Sequence, residues 1–129
     1  MDLDEAERLT RRAVAESERY GRPLCVSVCD SQGFLVAFAR MAGTPVRSIA
    51  LSQAKAYTAA RIGVGTAAWH ERLQGLGYPA SYFCDPALTG LPGGAVLRDA
   101  GGTVLGGVGI SGLLPAEDQV IADLLAGPA

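Results

Sequence analysis

Histidine, lysine and tryptophan occur once each in this sequence, as His70, Lys55 and Trp69, and every other basic residue is arginine. A lone histidine with no cysteine or second histidine at ligand spacing excludes the common metal signatures, so no metal site is expected. Cysteine is scarce as well. Cys25, Cys29 and Cys84 are an odd number, which argues against a disulfide framework. On one strand, Cys25 and Cys29 would stand about 13 Å apart, too far to bridge, and they read as small buried hydrophobes. A strong charge of either sign is also missing: the net charge is -2, the isoelectric point is near 5.3 and the arginines are scattered, which leaves no electrostatic footprint for nucleic acid. No apolar run approaches the roughly 20 residues that cross a bilayer. The start, MDLDEAERLT, is acidic and helical, unlike a secretory signal. The expected location is cytoplasmic, with neither nucleic acid nor membrane as partner.

The chain has 129 residues, 49% of them hydrophobic, and reads as one domain over 1–129 with a real core. Its organising stretch is Arg47 to Arg61, RSIALSQAKAYTAAR, a helix whose many alanines let it lie close against something flat. Thr44 and Pro45 offer it a start, a capping hydroxyl and then a proline. Lys55, in its middle, reads either as a solvated side chain on the exposed face or as a charge at the mouth of a pocket.

Before that helix, Leu3, Ala6, Leu9, Ala13, Val14, Ser17 and Tyr20 recur at helical spacing, with Glu7–Arg11 and Glu18–Arg22 as i,i+4 pairs on the other side. Leu24 to Asp30 alternates, Leu24, Val26 and Val28 against Cys25, Ser27 and Cys29, as a strand does. A turn at Asp30–Gly33 leads to a second arm, Phe34 to Arg40, with both faces apolar enough to be covered. After the helix, Thr66 to Leu76 makes another, with Leu73 and Leu76 inward. Gly77 to Gly94 is a long loop with Tyr82-Phe83-Cys84 as its strand-like island; a loop of that length is usually functional or held by an oligomer contact. Ala95–Arg98 and Thr103–Ile110 form a second hairpin, and Gly106, Gly107 and Gly109 in its second arm suit the close approach of a ligand or of another backbone. Pro115 to Leu125 closes as a helix with Val120, Ile121, Leu124 and Leu125 inward. The class is α+β, an antiparallel sheet of about five strands flanked by helices.

Gly107 to Gly112 spells GxGxxG, but the residues after it supply a helix and no second strand, so a dinucleotide fold is excluded. Free amides near Ser111 and Gly112 remain suited to a carboxylate or phosphate. From this follows a candidate site for a small anionic ligand between the central helix, the Gly93-Gly94 turn and the glycine-rich arm. Lys55 and Arg40 supply charge; Gly93, Gly94 and Ser111 supply backbone donors or room; His70, Lys55 and Asp118 are the candidates for moving a proton. Each also has a plain structural reading: His70 beside Trp69, Arg40 as a surface ion pair, Asp118 complementing a helix dipole. If Lys55 points inward it must meet an anion or a carboxylate, and Lys55→Met is expected to weaken ligand binding while leaving the fold intact.

The series Val26 to Asp30 with Gly33, Arg40 to Gly43, Ser48 through Ala59, Leu91 to Gly94, Gly106 to Gly112 and Glu117-Asp118 resembles the GlcG/HbpS family over almost the whole chain. The family also includes the C-terminal domain that accompanies some cobalamin adenosyltransferases. The resemblance implies an antiparallel sheet flanked by helices, a symmetric homo-oligomer, and haem or another tetrapyrrole as ligand. Haem-binding relatives can offer a histidine from the first helix, whereas Asp4 to Tyr20 has none here, which leaves Cys84, Met41 or Tyr82 as iron ligands and implies a weakly held, partly exposed haem. The alternative is a small cofactor-independent enzyme that moves a proton on an organic acid or ketone, of isomerase, cyclase or lyase type.

Overall fold

The alternation of branched and small residues along the strands decides which helices lie on which face. The computed structural model describes residues 1–127 and contains one antiparallel sheet of four strands: β1 (Cys25–Asp30), β2 (Leu35–Arg40), β3 (Gly94–Arg98) and β4 (Val104–Ser111), in the order β2-β1-β4-β3. Val28 pairs with Ala37 on one side and Val108 on the other, and Val108 pairs with Ala95. Directly paired residues share a face, so Val26, Val28, Ala95, Leu97, Val108 and Ile110 form one continuous apolar surface. Helices α1 (Leu3–Glu16) and α4 (Pro115–Ala126) cover it with Ala6, Leu9, Ala13, Ile121, Ala122 and Leu125.

The other face carries Cys25, Ser27, Cys29, Gly94, Gly107 and Gly109 and receives α2 (Arg47–Ile62). A Cβ on Gly109 would lie 2.0 Å from the Ser52 carbonyl oxygen, and one on Gly107 2.3 Å from that of Ala56. The helix backbone therefore rests directly on β4, and the glycines serve a backbone neighbour. The Ser27 and Ser52 hydroxyls meet at 2.8 Å across this interface. Helix α3 (Thr66–Leu76) follows, with Trp69 and Leu73 buried.

Several details depart from the expectations. The sheet has four strands rather than about five, because Tyr82 and Phe83 lie in a short 3-10 helix, Ala80–Phe83, where Phe83 packs edge-on against Trp69 with centroids 4.9 Å apart. Val46 stands at the N-cap of α2 with no side-chain cap, and the Thr44 hydroxyl donates to the Met41 carbonyl instead. The register slips between Val28 and Cys29, so Val36 leaves the alternation and packs towards α1; β2 is an edge strand with Phe34 and Leu35 exposed, not covered on both faces. The salt bridges around α1 are Glu5–Arg8 at 2.6 Å, Glu16–Arg19 at 3.1 Å and Arg22–Glu117 at 2.5 Å, with different pairing from the sequence spacing. In α4 the buried positions are Asp118, Gln119, Ile121, Ala122 and Leu125, while Val120 and Leu124 are exposed, because two polar side chains take inward places. Leu76 is exposed as well.

Candidate functional site

Lys55 leaves α2 towards the start of β3 and is 1% exposed. A Cβ on Gly93 would stand 2.7 Å from its Nζ, so a residue without a side chain is needed for the lysine to pass. Its ammonium donates to the Ile110 carbonyl at 2.9 Å and to Asp118 Oδ2 at 3.0 Å, while Asp118 Oδ1 accepts from the Leu113 amide at 3.1 Å. The pair joins the helix on one face of the sheet to a helix on the other. Burial lowers the pKa of Lys55 against the pull of Asp118, and burial raises that of Asp118 against Lys55 and the Leu113 amide. Desolvation is the larger influence on both groups, so the pair persists through its hydrogen bonds.

Beside it, Gln119 holds the Gly93-Gly94 turn. Its Oε1 accepts from the amides of Gly93 at 2.7 Å and Ala67 at 3.1 Å and from the Thr66 hydroxyl at 3.3 Å, and its Nε2 donates to the Gly94 carbonyl at 2.8 Å and to Asp123 at 2.9 Å. Sequence reasoning missed Gln119, since a glutamine on an amphipathic helix carries no signal of burial. The structure thus brings Lys55, Asp118, Gly93 and Gly94 together, but each charge is satisfied by the other. Of the amides near Ser111 and Gly112 expected to hold an anion, the two that follow, Leu113 and Leu114, donate to the chain's own carboxylates, Asp118 and Glu117. Ser111 is buried at the end of β4, paired with Cys25, whose other neighbour is Arg40; Arg40 is exposed on the edge strand. His70 lies apart on α3, with Nδ1 2.8 Å from the Gly90 carbonyl. Cys84 and Tyr82 are exposed in the 80–84 region.

A different place is open to a ligand. Where β2 passes under α1, the inward residues are Ala37 and Ala39, too small to fill the space beside the helix. A cleft of about 770 Å³ results, walled by Leu3, Val14 and Ala15 from α1 and by Val36, Phe38 and Met41 from β2 and its end. Arg11, Glu7 and Glu18 stand at its polar margin. Its size is that of a cofactor site. Among its lining residues, Met41 brings a thioether, a soft donor of the kind haem iron accepts, Arg11 brings a guanidinium suited to a carboxylate, and the walls would suit a flat apolar ring. No histidine lines it.

Helices on both faces of a four-stranded antiparallel sheet, with an open cleft under the first helix, define an α+β sandwich-like domain. The chain belongs to the HbpS-like family, "Haem degrading protein HbpS-like", whose profile matches residues 1–125. Among solved structures it is similar to a PduOC–haem complex, with 26% identity and a TM-score of 0.87 over 98% of this chain and 92% of that one. It is also similar to HbpS, with 27% identity and a TM-score of 0.88 over 98% and 87%. Klebsiella pneumoniae ORFY, of DUF336, shares the fold at 22% identity and a TM-score of 0.88 over 98% and 88%. No curated protein matches the sequence.

Proposed function

We propose that this protein is a haem- or tetrapyrrole-binding module, a single HbpS-like domain that works as a cytoplasmic homo-oligomer, and that the cleft between α1 and β2 holds the macrocycle. The observation that carries the reading is the cleft itself, with apolar walls, one thioether and a polar margin of Arg11, Glu7 and Glu18, in a chain similar to a PduOC crystallised with haem. Val14, Val36 and Phe38 would hold the macrocycle by apolar contact and exclude water, Arg11 would pair with a propionate, and Met41 would be the donor available to the iron. Bound haem supplies one-electron and oxygen chemistry. The three free cysteines are in keeping with a reducing compartment. The proton-transfer alternative has no comparable support, because Lys55 and Asp118 are buried against each other beyond the reach of a substrate.

Titration with hemin, followed by absorption, tests the reading. Wild type is expected to give a saturable Soret change with micromolar rather than nanomolar affinity, since no histidine ligates. Ala15→Trp, which fills the cleft from an exposed position, abolishes it, and His70→Ala leaves it unchanged. Equal binding by wild type and Ala15→Trp would reject the cleft.

A further inference from the structure

The segment Asp85–Leu88 plays no part in the haem reading, yet it is tied down at both ends. Asp85 Oδ2 accepts from the Tyr57 hydroxyl at 2.7 Å and lies 3.7 Å from Arg61 Nη1. At the other end, the Thr89 amide donates to Thr58 Oγ1 at 2.9 Å. Arg61 lies over the Tyr57 ring, 4.5 Å from its centroid, and donates to the Gln32 carbonyl at 2.7 Å. The strap, α2 and the β1–β2 turn therefore form one clasp around a cavity of about 310 Å³. Gly33, Leu35, Ala54, Tyr57 and Leu88 contribute to its walls and Gln53 its only side-chain amide, while the buried Cys29 and Ala56 also line it.

We propose that this clasped cavity is a second binding site, for a small uncharged ring compound with one amide or carbonyl edge that pairs with Gln53. No charged side chain lines the cavity, so an ionic ligand would leave water without a counter-charge. The Gln53 amide makes no side-chain hydrogen bond to the described residues and has both a donor and an acceptor to offer. Tyr57, whose ring is covered by Arg61 and packs on Gly33, lines the cavity for edge contact. The volume equals that of about ten liquid waters at ~30 Å³ each, which suits one substituted ring. Burial raises the Cys29 pKa to about 11, so the thiol adds no charge at neutral pH.

Benzamide is the probe and benzoate its charged counterpart, both followed by amide NMR at pH 7. Benzamide is expected to shift Gly33, Gln53, Ala54 and Leu88 saturably with a Kd of about 1 mM or below, and benzoate to bind at least tenfold more weakly. Ala54→Leu, at a half-buried wall position, should weaken benzamide at least tenfold while leaving the hemin response of the α1–β2 cleft intact. If that variant folds poorly, Gln53→Ala carries the same readout. Absence of saturable shifts in wild type, equal binding of benzoate, or undiminished binding in the folded variant overturns the proposal. Failure of the hemin titration leaves it standing, since the two sites share no lining residue.

Discussion

Removing one half of the Lys55–Asp118 pair leaves the other half buried and uncompensated, and this makes Lys55→Met a stability variant rather than a binding variant. The cost is about 3–5 kcal/mol by comparison with other buried pairs. The double variant Lys55→Met/Asp118→Leu is expected to recover most of it, and chemical denaturation of the four species measures the coupling. The penalty also depends on pH. Without Lys55, the strongest influences that lower the Asp118 pKa are gone and burial is opposed by the Leu113 amide alone, so the folded pKa rises further above the ordinary 3.8. A carboxyl raised in the folded state keeps its stability below the unfolded pKa and loses it as pH climbs through the folded value. Lys55→Met should therefore be closest to wild type near pH 4 and furthest from it at pH 7; a pH-independent difference would contradict the burial of Asp118. The need for a partner was legible in the sequence, because an inward lysine must meet a negative charge. Which carboxylate it meets was not, since Asp118 lies on a helix packed against the opposite face of the sheet.

At the scale of elements, the contact between α2 and β4 rests on missing side chains. Gly109→Ala places a methyl group 2.0 Å from the Ser52 carbonyl oxygen, a backbone atom that moves only with its helix. Thermal unfolding should show a loss of about 1–3 kcal/mol or more, while Gly101→Ala, in the exposed β3–β4 turn, should lose far less. The element map was largely readable for the same physical reason: Cys25-Ser27-Cys29 and Leu24-Val26-Val28 differ in bulk, so the strand announces its two faces. The Asp30 and Asp99 turns were equally plain, and each carboxylate caps two amides of its own turn. What stayed hidden depends on pairing across the chain. The bulge at Val36 is a matter of register with β1, and the cleft under α1 exists only because Ala37 and Ala39 fall on the helix side of that register. In the sequence Lys55 and the glycines stand out instead, because packing uses the same residue types that binding would.

For the whole molecule, the exposed apolar residues Leu76, Tyr78, Tyr82, Phe83 and Leu91 lie at the end of α3 and on the segment after it, and the Tyr78 and Tyr82 rings touch with centroids 5.4 Å apart. A further exposed pair, Phe34 and Leu35, sits at the free edge of the sheet. Surfaces of this kind mark association, and light scattering at micromolar concentration is expected to give a mass well above the 13.3 kDa of one chain. A monomer would remove the oligomer from the proposal. The most direct test of haem in the cleft uses the iron as its own reporter: amide NMR of the protein with sub-stoichiometric ferric hemin. The amides of Thr10–Ser17 and Val36–Met41 should broaden first, with those around His70 and Gly90 sharp. Broadening centred on His70, or spread evenly over the surface, would contradict it.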